Sequence, residues 1–150
     1  MKSRMNYYTT APEAMKILIG QEEYLREQFK TSETLTVQLW ELIKLRVSQM
    51  NQCAYCVNLH SKDALEQGES VERLIGLSAW REMPFYDQVE SIALDMAEVL
   101  TLGQSLEDDK YSQAVEVLGD KAVVDLVVAI NAINSWNRVA KTFKPQIAKK

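Results

Sequence analysis

Apolar residues recur every three or four positions along most of this chain, which is the spacing of one face of a helix. The first stripe runs from Met15 to Phe29, after Pro12, which the first turn of a helix tolerates. A second stripe, from Leu35 to Met50, is widened by further apolar residues, as in a helix that is buried on several sides. The pattern predicts seven helical segments, at residues 12–29, 35–50, 53–67, 70–80, 87–103, 106–118 and 122–143.

The last of these segments begins with a run rich in Val and Ile, a composition that also suits a buried strand. Length favours a helix, because helical spacing continues through Trp136, Ala140 and Phe143 over about five turns. Its nearly all-round apolar surface predicts either a central place in the fold or a subunit interface. We expect a homo-oligomer in which Trp136 or its neighbours are covered between subunits, because one chain would struggle to hide so much apolar surface.

Turn-forming residues mark the ends of several segments. Gly68 stands just past the third, Asp87 is a good cap for the fifth, and Gly103 suits its end. The fourth should end at Met83, because the residue before a proline avoids the helical region. No stretch has the composition of a linker, so we predict a single all-α domain over residues 1–150, a bundle of about six to seven helices.

Composition supports this fold class. The 150 residues are 47% apolar on the stated alphabet, which is enough for one core of ordinary domain size. Five Gly and three Pro are too few for a collagen-like, linker-like or low-complexity chain. They also disfavour an all-β sandwich, which needs frequent turns.

Charge and hydropathy restrict the partners and the compartment. A net charge of −4 and a pI near 5.1 argue against nucleic acid as a partner. The sequence shows no secretory signal and no run of the roughly 18 apolar residues that a membrane span requires, so we predict a cytoplasmic protein without a membrane segment. A structural disulfide would be reduced there, so the two cysteines, Cys53 and Cys56, are expected to be redox-active, catalytic or metal-binding.

The candidate chemistry is concentrated at residues 53–60, which read CAYCVNLH. Because positions three and four apart are neighbours on a helix, Cys53 lies beside Cys56, and Cys56 beside His60. If Asn51 or Gln52 caps this helix, Cys53 lies at its positive end, where backbone amides stabilise a thiolate, and Cys56 is still in the first turn. His60, the only histidine, could accept a thiol proton, hold an activating water or donate a proton to a leaving group.

Three other interpretations of the cysteines are weaker. Two inert buried thiols rarely occur at this spacing at the start of a helix. A structural zinc site needs four ligands, whereas Cys53, Cys56 and His60 supply three and the sequence has no second ligand pair of this kind. Covalent haem attachment needs a histidine directly after the second cysteine, where this chain has Val57.

Glu41 is a further candidate, because it falls between Val37 and Leu45 on an apolar helix face. Partial burial would raise the proton affinity of its carboxylate, which suits a proton acceptor or relay. Alternatively, Lys44 lies three residues on and could form an ordinary surface ion pair with Glu41. The sequence pattern leaves both possibilities open.

Glu41, Cys53, Cys56 and His60, within ELIKLRVSQMNQCAYCVNLHSKDA, closely resemble the core motif of the AhpD-like alkylhydroperoxidases in the carboxymuconolactone decarboxylase superfamily. The stretches MNYYTTAPEAMK and INAINSWNR also resemble single-domain members, so the similarity covers most of the chain. Members of this family are all-helical and form dimers, trimers or hexamers. The resemblance therefore implies an AhpD-like helical bundle that assembles into a homo-oligomer.

The resemblance also implies roles for the site residues. Cys56 would attack the peroxide, Cys53 would be the resolving thiol, and Glu41 with His60 would relay protons, through water. Helix electrostatics alone favours Cys53 as the nucleophile instead. Some better-studied members carry a second histidine between the cysteines, where this chain has Tyr55, so a relay step that needs an imidazole there lacks it.

We therefore expect a thiol-dependent peroxidase or disulfide oxidoreductase that reduces hydroperoxides and is regenerated by an external thiol or dithiol reductant. The two sulfurs store the two electrons, so no metal or organic cofactor is implied. The alternative is a non-enzymatic redox sensor or partner-binding protein that uses the same dithiol. A rate of peroxide consumption would distinguish the two.

Overall fold

The computed structural model describes residues 4–149, and every regular element in that range is helical. No helix within it is long and apolar enough to cross a membrane. The α-helices are α1 (Tyr7–Thr10), α2 (Pro12–Thr31), α3 (Val37–Met50), α4 (Ala54–Glu66), α5 (Val71–Gly76), α6 (Gln88–Thr101), α7 (Asp108–Leu118) and α8 (Asp120–Phe143), and a 3₁₀ helix spans Leu77–Glu82.

The all-α fold predicted from periodicity is confirmed, and most helix ends lie within two residues of the predicted ones. The cap at Asp87 is a full capping box with Glu90, and the helix before Pro84 stops where expected. The predicted helix at residues 70–80 is instead divided into α5 and the 3₁₀ helix. The single turn α1 was not predicted, because four residues are too few to show a helical period.

Helices α3 and α8 form the centre of the fold. Helix α8 packs against α2, α3, α4, α6 and α7, and its Leu126, Ile130 and Ile133 are almost fully buried. The apolar run that also suited a strand is therefore a helix, and most of its surface is covered within one chain. Its apolar character is explained by this central position, so it does not itself call for a subunit interface.

A partly buried polar network joins the end of α3 to α8. The amide of Asn51 donates to Oδ1 of both Asn134 and Asn137 at 2.9 Å, and Asn137 donates to Oγ of Ser48 at 3.0 Å. The expectation that Asn51 or Gln52 caps the cysteine helix is wrong, because Asn51 ends α3 and Cys53 itself is the N-cap of α4. The network fixes the turn that precedes the two cysteines.

Candidate functional site

The two cysteines lie at the start of α4, directly after the turn that ends α3. Gln52 in that turn has a positive φ of 52°, a conformation that side chains other than glycine adopt at some cost. Cys53 and Cys56 are joined by a disulfide with their Cα atoms 5.2 Å apart, and they are only 1% and 4% exposed. They pack with Ala140 of α8 and with Tyr55, so the redox pair is held between α4 and the central helix.

Glu41 of α3 connects two positively charged or titratable groups inside the protein. Its Oε1 lies 2.7 Å from Nζ of Lys44, and its Oε2 lies 3.2 Å from Nδ1 of His60 on α4. Burial raises the pKa of Glu41, but the hydrogen bond with His60 and the charge of Lys44 outweigh that effect and hold the pKa below its usual value. The Glu41 carboxylate is therefore ionised at neutral pH.

This geometry differs from both expectations for Glu41. Glu41 is buried, as the apolar face indicated, yet its proton affinity is lowered rather than raised. The ion pair with Lys44 is present, but it is not at the surface, because Lys44 is only 6% exposed and its Nζ lies 3.6 Å from the ring centre of Trp40. Spacing alone does not show that the lysine is buried as well.

Asp63 is a second carboxylate beside the histidine, one turn along α4. Its Oδ2 lies 3.6 Å from Nδ1 of His60, and its pKa is raised by partial burial and by the negative charge of Glu41. Since both carboxylates approach Nδ1 and an ionised carboxylate only accepts hydrogen bonds, they favour a proton on Nδ1. That tautomer leaves the lone pair of Nε2 available as a proton acceptor.

Cys56 and His60 line the same cavity, which has a volume of about 170 Å³. Glu41 does not line this cavity, but it contacts two residues that do, His60 and Lys44. Cys53 does not line the cavity either. Tyr55, which stands between the two cysteines in the sequence, is part of the wall. The lining residues are Tyr7, Tyr8, Glu22, Lys44, Tyr55, Cys56, Leu59, His60, Ile133, Trp136 and Ala140.

The aromatic part of this wall was not predicted as part of the site. Tyr7 and Tyr8 come from α1, and Trp136 comes from α8, where its Nε1 donates to Glu22 at 3.2 Å. The pKa values of both tyrosines are raised, chiefly by burial, so each hydroxyl keeps its proton at neutral pH. The stretches MNYYTTAPEAMK and INAINSWNR, which carried the family resemblance outside the cysteine motif, are the signal that could have located these residues.

The ligand atoms of Glu41, His60 and Asp63 lie within 4.8 Å of one another, the spacing of a possible metal site. However, the ammonium group of Lys44 already contacts the Glu41 carboxylate at 2.7 Å and would repel a divalent ion. The cysteines are bonded to each other in this state. The donor set therefore fits a hydrogen-bonded relay better than a metal centre.

Sequence and structure comparisons point to one family. The model of the carboxymuconolactone decarboxylase family matches residues 12–99, which include all four motif residues. The uncharacterised protein YdfG of Bacillus subtilis is 42% identical over 142 residues, which cover 93% of this chain and 93% of that protein.

Crystal structures of similar proteins share the fold. One is a protein of unknown function from Agrobacterium tumefaciens, for which a role as the antioxidant defence protein AhpD has been suggested. It is 34% identical, with a TM-score of 0.89, and the match covers 99% of this chain and 100% of that chain. An uncharacterised peroxidase-related protein from Silicibacter is 20% identical, with a TM-score of 0.79 over 93% of this chain and 72% of that chain, and supports the fold alone.

Proposed function

The chain belongs to the carboxymuconolactone decarboxylase family, and from that membership and its site we propose that it is an AhpD-like thiol peroxidase. It reduces a hydroperoxide through Cys53 and Cys56, with Glu41 and His60 assisting the proton transfers. An external thiol or dithiol restores the two thiols, and the thiol form of the cycle suits the reducing conditions of the cytoplasm.

One observation carries this proposal: Cys56 opens into a cavity that it shares with His60, and His60 is held by a buried, ionised carboxylate. A nucleophile, a proton acceptor and a group that orients the acceptor are the parts that an activated thiol requires. The same observation favours Cys56 over Cys53 as the attacking thiol, because Cys53 does not line that cavity. It thus supports the assignment that the family resemblance implies.

In the proposed cycle, His60 accepts the proton of the Cys56 thiol at Nε2, directly or through water. The thiolate attacks the terminal oxygen of the hydroperoxide, the O–O bond breaks, and the departing alkoxide takes the proton from His60 as it becomes an alcohol. Cys56 is then a sulfenic acid. The Cys53 thiol attacks its sulfur, releasing water and forming the disulfide that the structure contains. A reductant supplies two electrons and two protons to regenerate both thiols.

Glu41 acts through the histidine rather than on the substrate. Because the carboxylate stays ionised, it stabilises the positive charge that His60 carries after accepting the proton. The aromatic and apolar wall formed by Tyr7, Tyr8 and Trp136 supports a hydroperoxide with an organic substituent, since burial of that substituent favours binding.

The test is consumption of tert-butyl hydroperoxide by the reduced protein with dithiothreitol as the electron source. We expect a rate proportional to protein concentration and its loss in Cys56→Ser, with an unchanged helical circular dichroism spectrum. If the wild-type protein forms its disulfide once but consumes no further peroxide with excess reductant, the redox-sensor alternative is correct. If the peroxide does not oxidise the thiols at all, neither function holds.

A further inference from the structure

The two cysteines of the disulfide line different cavities. Cys56 lines the cavity described above, which we call the Cys56 cavity. Cys53 lines a second, larger cavity of about 950 Å³, the Cys53 cavity, between the start of α4, the end of α8 and the chain that follows it to Lys149. Tyr55 and Ala140 line both cavities and therefore lie between them. Each cysteine is thus approached from its own cavity.

The Cys53 cavity is positively charged, although the chain as a whole is negative. Lys141, Lys144 and Lys149 line it, and the other described lining residues are uncharged. The whole sequence contains 21 acidic and 17 basic residues, so a cavity whose described lining has three lysines and no carboxylate differs from the overall balance. Such a wall attracts an anionic molecule, most strongly at low ionic strength.

The N-terminus of α4 adds to the positive electrostatic potential of the Cys53 cavity. Cys53 is the N-cap of the 13-residue helix, and the backbone N–H of Cys56 points to its sulfur at 3.4 Å. Unpaired amides at a helix N-terminus stabilise negative charge, including a cysteine thiolate. The charged end of the helix and the lysines therefore act on the same cavity.

Resting on the function proposed above, we propose that the Cys53 cavity is the entry site of the reductant and that the reductant is a slender dithiol carrying negative charge. Cys53 is only 1% exposed, so a narrow thiol-bearing group can reach its sulfur more readily than a broad protein surface can. The peroxide and the reductant then use separate cavities, each lined by one cysteine of the disulfide.

The exchange chemistry agrees with this arrangement. A thiolate attacks a disulfide sulfur in line with the S–S bond, so an attack on Cys53 comes from the side away from Cys56. The first reductant thiol loses its proton and bonds to Cys53 as a thiolate, and the Sγ–Sγ bond breaks. Cys56 leaves as a thiolate in its own cavity and takes up the proton that the attacking thiol released. The second reductant thiol then displaces Cys53, which accepts a proton. The reductant ends as a disulfide, and the protein has gained two electrons and two protons.

The first experiment follows reduction of the oxidised protein without any peroxide, so that it does not depend on peroxidase activity. It compares the anionic dithiol 2,3-dimercaptopropanesulfonate with its neutral analogue 2,3-dimercaptopropanol, by counting free protein thiols over time. In wild type we expect faster reduction by the anionic dithiol, with an advantage that decreases as salt is added. Equal rates, or a faster neutral dithiol, would overturn the proposal.

Variants that remove positive charge test whether the lysines of the Cys53 cavity cause the faster reduction by the anionic dithiol. Lys144→Gln with Lys149→Gln should slow reduction by the anionic dithiol about three- to tenfold, while the rate with the neutral dithiol changes much less. Arg26→Gln with Lys30→Gln is the matched control, because it also removes two exposed positive charges. These residues lie near the end of α2, which approaches Lys121 at the start of α8, whereas Cys53 packs near Ala140 at the other end of α8. An equal loss in the control variant would show that overall charge, not the cavity, is responsible.

A second experiment identifies the attacked sulfur in the wild-type protein. The oxidised protein reacts briefly with the anionic monothiol 2-mercaptoethanesulfonate, is quenched with iodoacetamide and is digested with trypsin. The peptide at residues 47–62 contains both cysteines, so its fragment ions distinguish them. We expect the mixed disulfide on Cys53 and the alkyl group on Cys56. The reverse pattern would contradict entry through the Cys53 cavity even if peroxidase activity is found.

Discussion

The carboxylate of Glu41 and the imidazole of His60 meet between α3 and α4, with Oε2 of Glu41 3.2 Å from Nδ1 of His60. The other carboxylate oxygen is occupied by Lys44 at 2.7 Å. One buried carboxylate thus orients the histidine and neutralises the lysine. We therefore expect a change at Glu41 to affect both the proposed chemistry of the site and the stability of the protein.

The first prediction concerns the proton relay. General acid–base groups typically contribute about 10² to 10⁴ in rate, so His60→Gln and Glu41→Gln should each slow peroxide reduction at least about tenfold. Glu41→Gln should also lower the free energy of unfolding by about 1 to 3 kcal/mol, because it leaves the buried Lys44 without its counter-ion. Steady-state rates and urea unfolding measure the two effects.

A double variant separates the two effects. Glu41→Gln with Lys44→Met removes both charges of the buried pair, so we expect much of the stability to return while the rate stays low. If peroxide reduction also returns to the wild-type rate, the role of Glu41 is structural and not part of proton transfer.

The second prediction is a pH dependence of stability. The pKa of Glu41 is below its usual value in the folded protein. The ionised carboxylate therefore stabilises the fold at neutral pH, and this stabilisation is lost as the pH falls through the folded pKa. The gap in free energy of unfolding between wild type and Glu41→Gln should therefore narrow as the pH falls below the ordinary carboxyl pKa of 4.5. Urea unfolding at a series of acidic pH values measures this gap.

Asp63 is the matched control, because its pKa shift has the opposite sign. Its pKa is raised, so the folded protein favours the protonated form, and that stabilisation is lost as pH rises through the folded pKa. Asp63→Asn should therefore gain stability relative to wild type as pH rises toward neutrality. A Glu41→Gln gap that widens in acid would show that the sign assigned to Glu41 is wrong.

The third prediction concerns which of the two cysteines attacks the peroxide. If Cys56 attacks the peroxide, Cys53→Ser retains the first step and accumulates a sulfenic acid on Cys56, whereas Cys56→Ser loses that step. Trapping with dimedone followed by peptide mass spectrometry identifies the modified residue. A sulfenic acid on Cys53 in the Cys56→Ser protein would transfer the nucleophile's role to the residue at the helix N-terminus.

The fourth prediction tests the polar network behind the cysteine turn. Asn137→Ala leaves the buried hydroxyl of Ser48 without its partner and Asn51 with only its bond to Asn134, which should cost about 1 to 3 kcal/mol of unfolding free energy. The turn that carries Cys53 should also open more often, so iodoacetamide should modify the reduced protein faster there. Asn134→Ala is the control, since Asn134 is less buried and its loss leaves both Asn51 and Ser48 bonded to Asn137.

The fifth prediction is self-association, which stays a prediction. Trp136, expected at an interface, lines the Cys56 cavity of its own chain, but Val71 and Ile75 lie one turn apart on α5 and are 56% and 75% exposed. We expect subunits to cover this pair, so Ile75→Lys should reduce the mass measured by light scattering toward the 17.1 kDa of one chain. Val124→Lys, at an exposed apolar residue on α8, is the matched control.

A wild-type mass of 17.1 kDa that does not change on dilution would contradict this prediction. An equal effect of both lysine variants would instead show that the association surface is not confined to α5.

Much of the fold could be predicted from the sequence because helix formation is local. Stripes such as Met15 to Phe29 place apolar residues on one face by the geometry of the helix alone, and caps such as Asp87 act within one turn. The closeness of Cys53, Cys56 and His60 also follows from local geometry, since residues three and four apart on one helix share a face. These relationships hold wherever the helix packs.

Only the tertiary structure decided how these faces meet. The contact of Glu41 with His60, the burial of Lys44 and the position of Trp136 depend on packing between helices that are far apart in sequence. The cavity that each cysteine lines also depends on this packing, because Ala140 of α8 is part of the wall of both cavities. Periodicity specifies which side of a helix is apolar, but not which other helix covers that side. The contacts of this site depend on which helices pack together, and the sequence pattern does not contain that information.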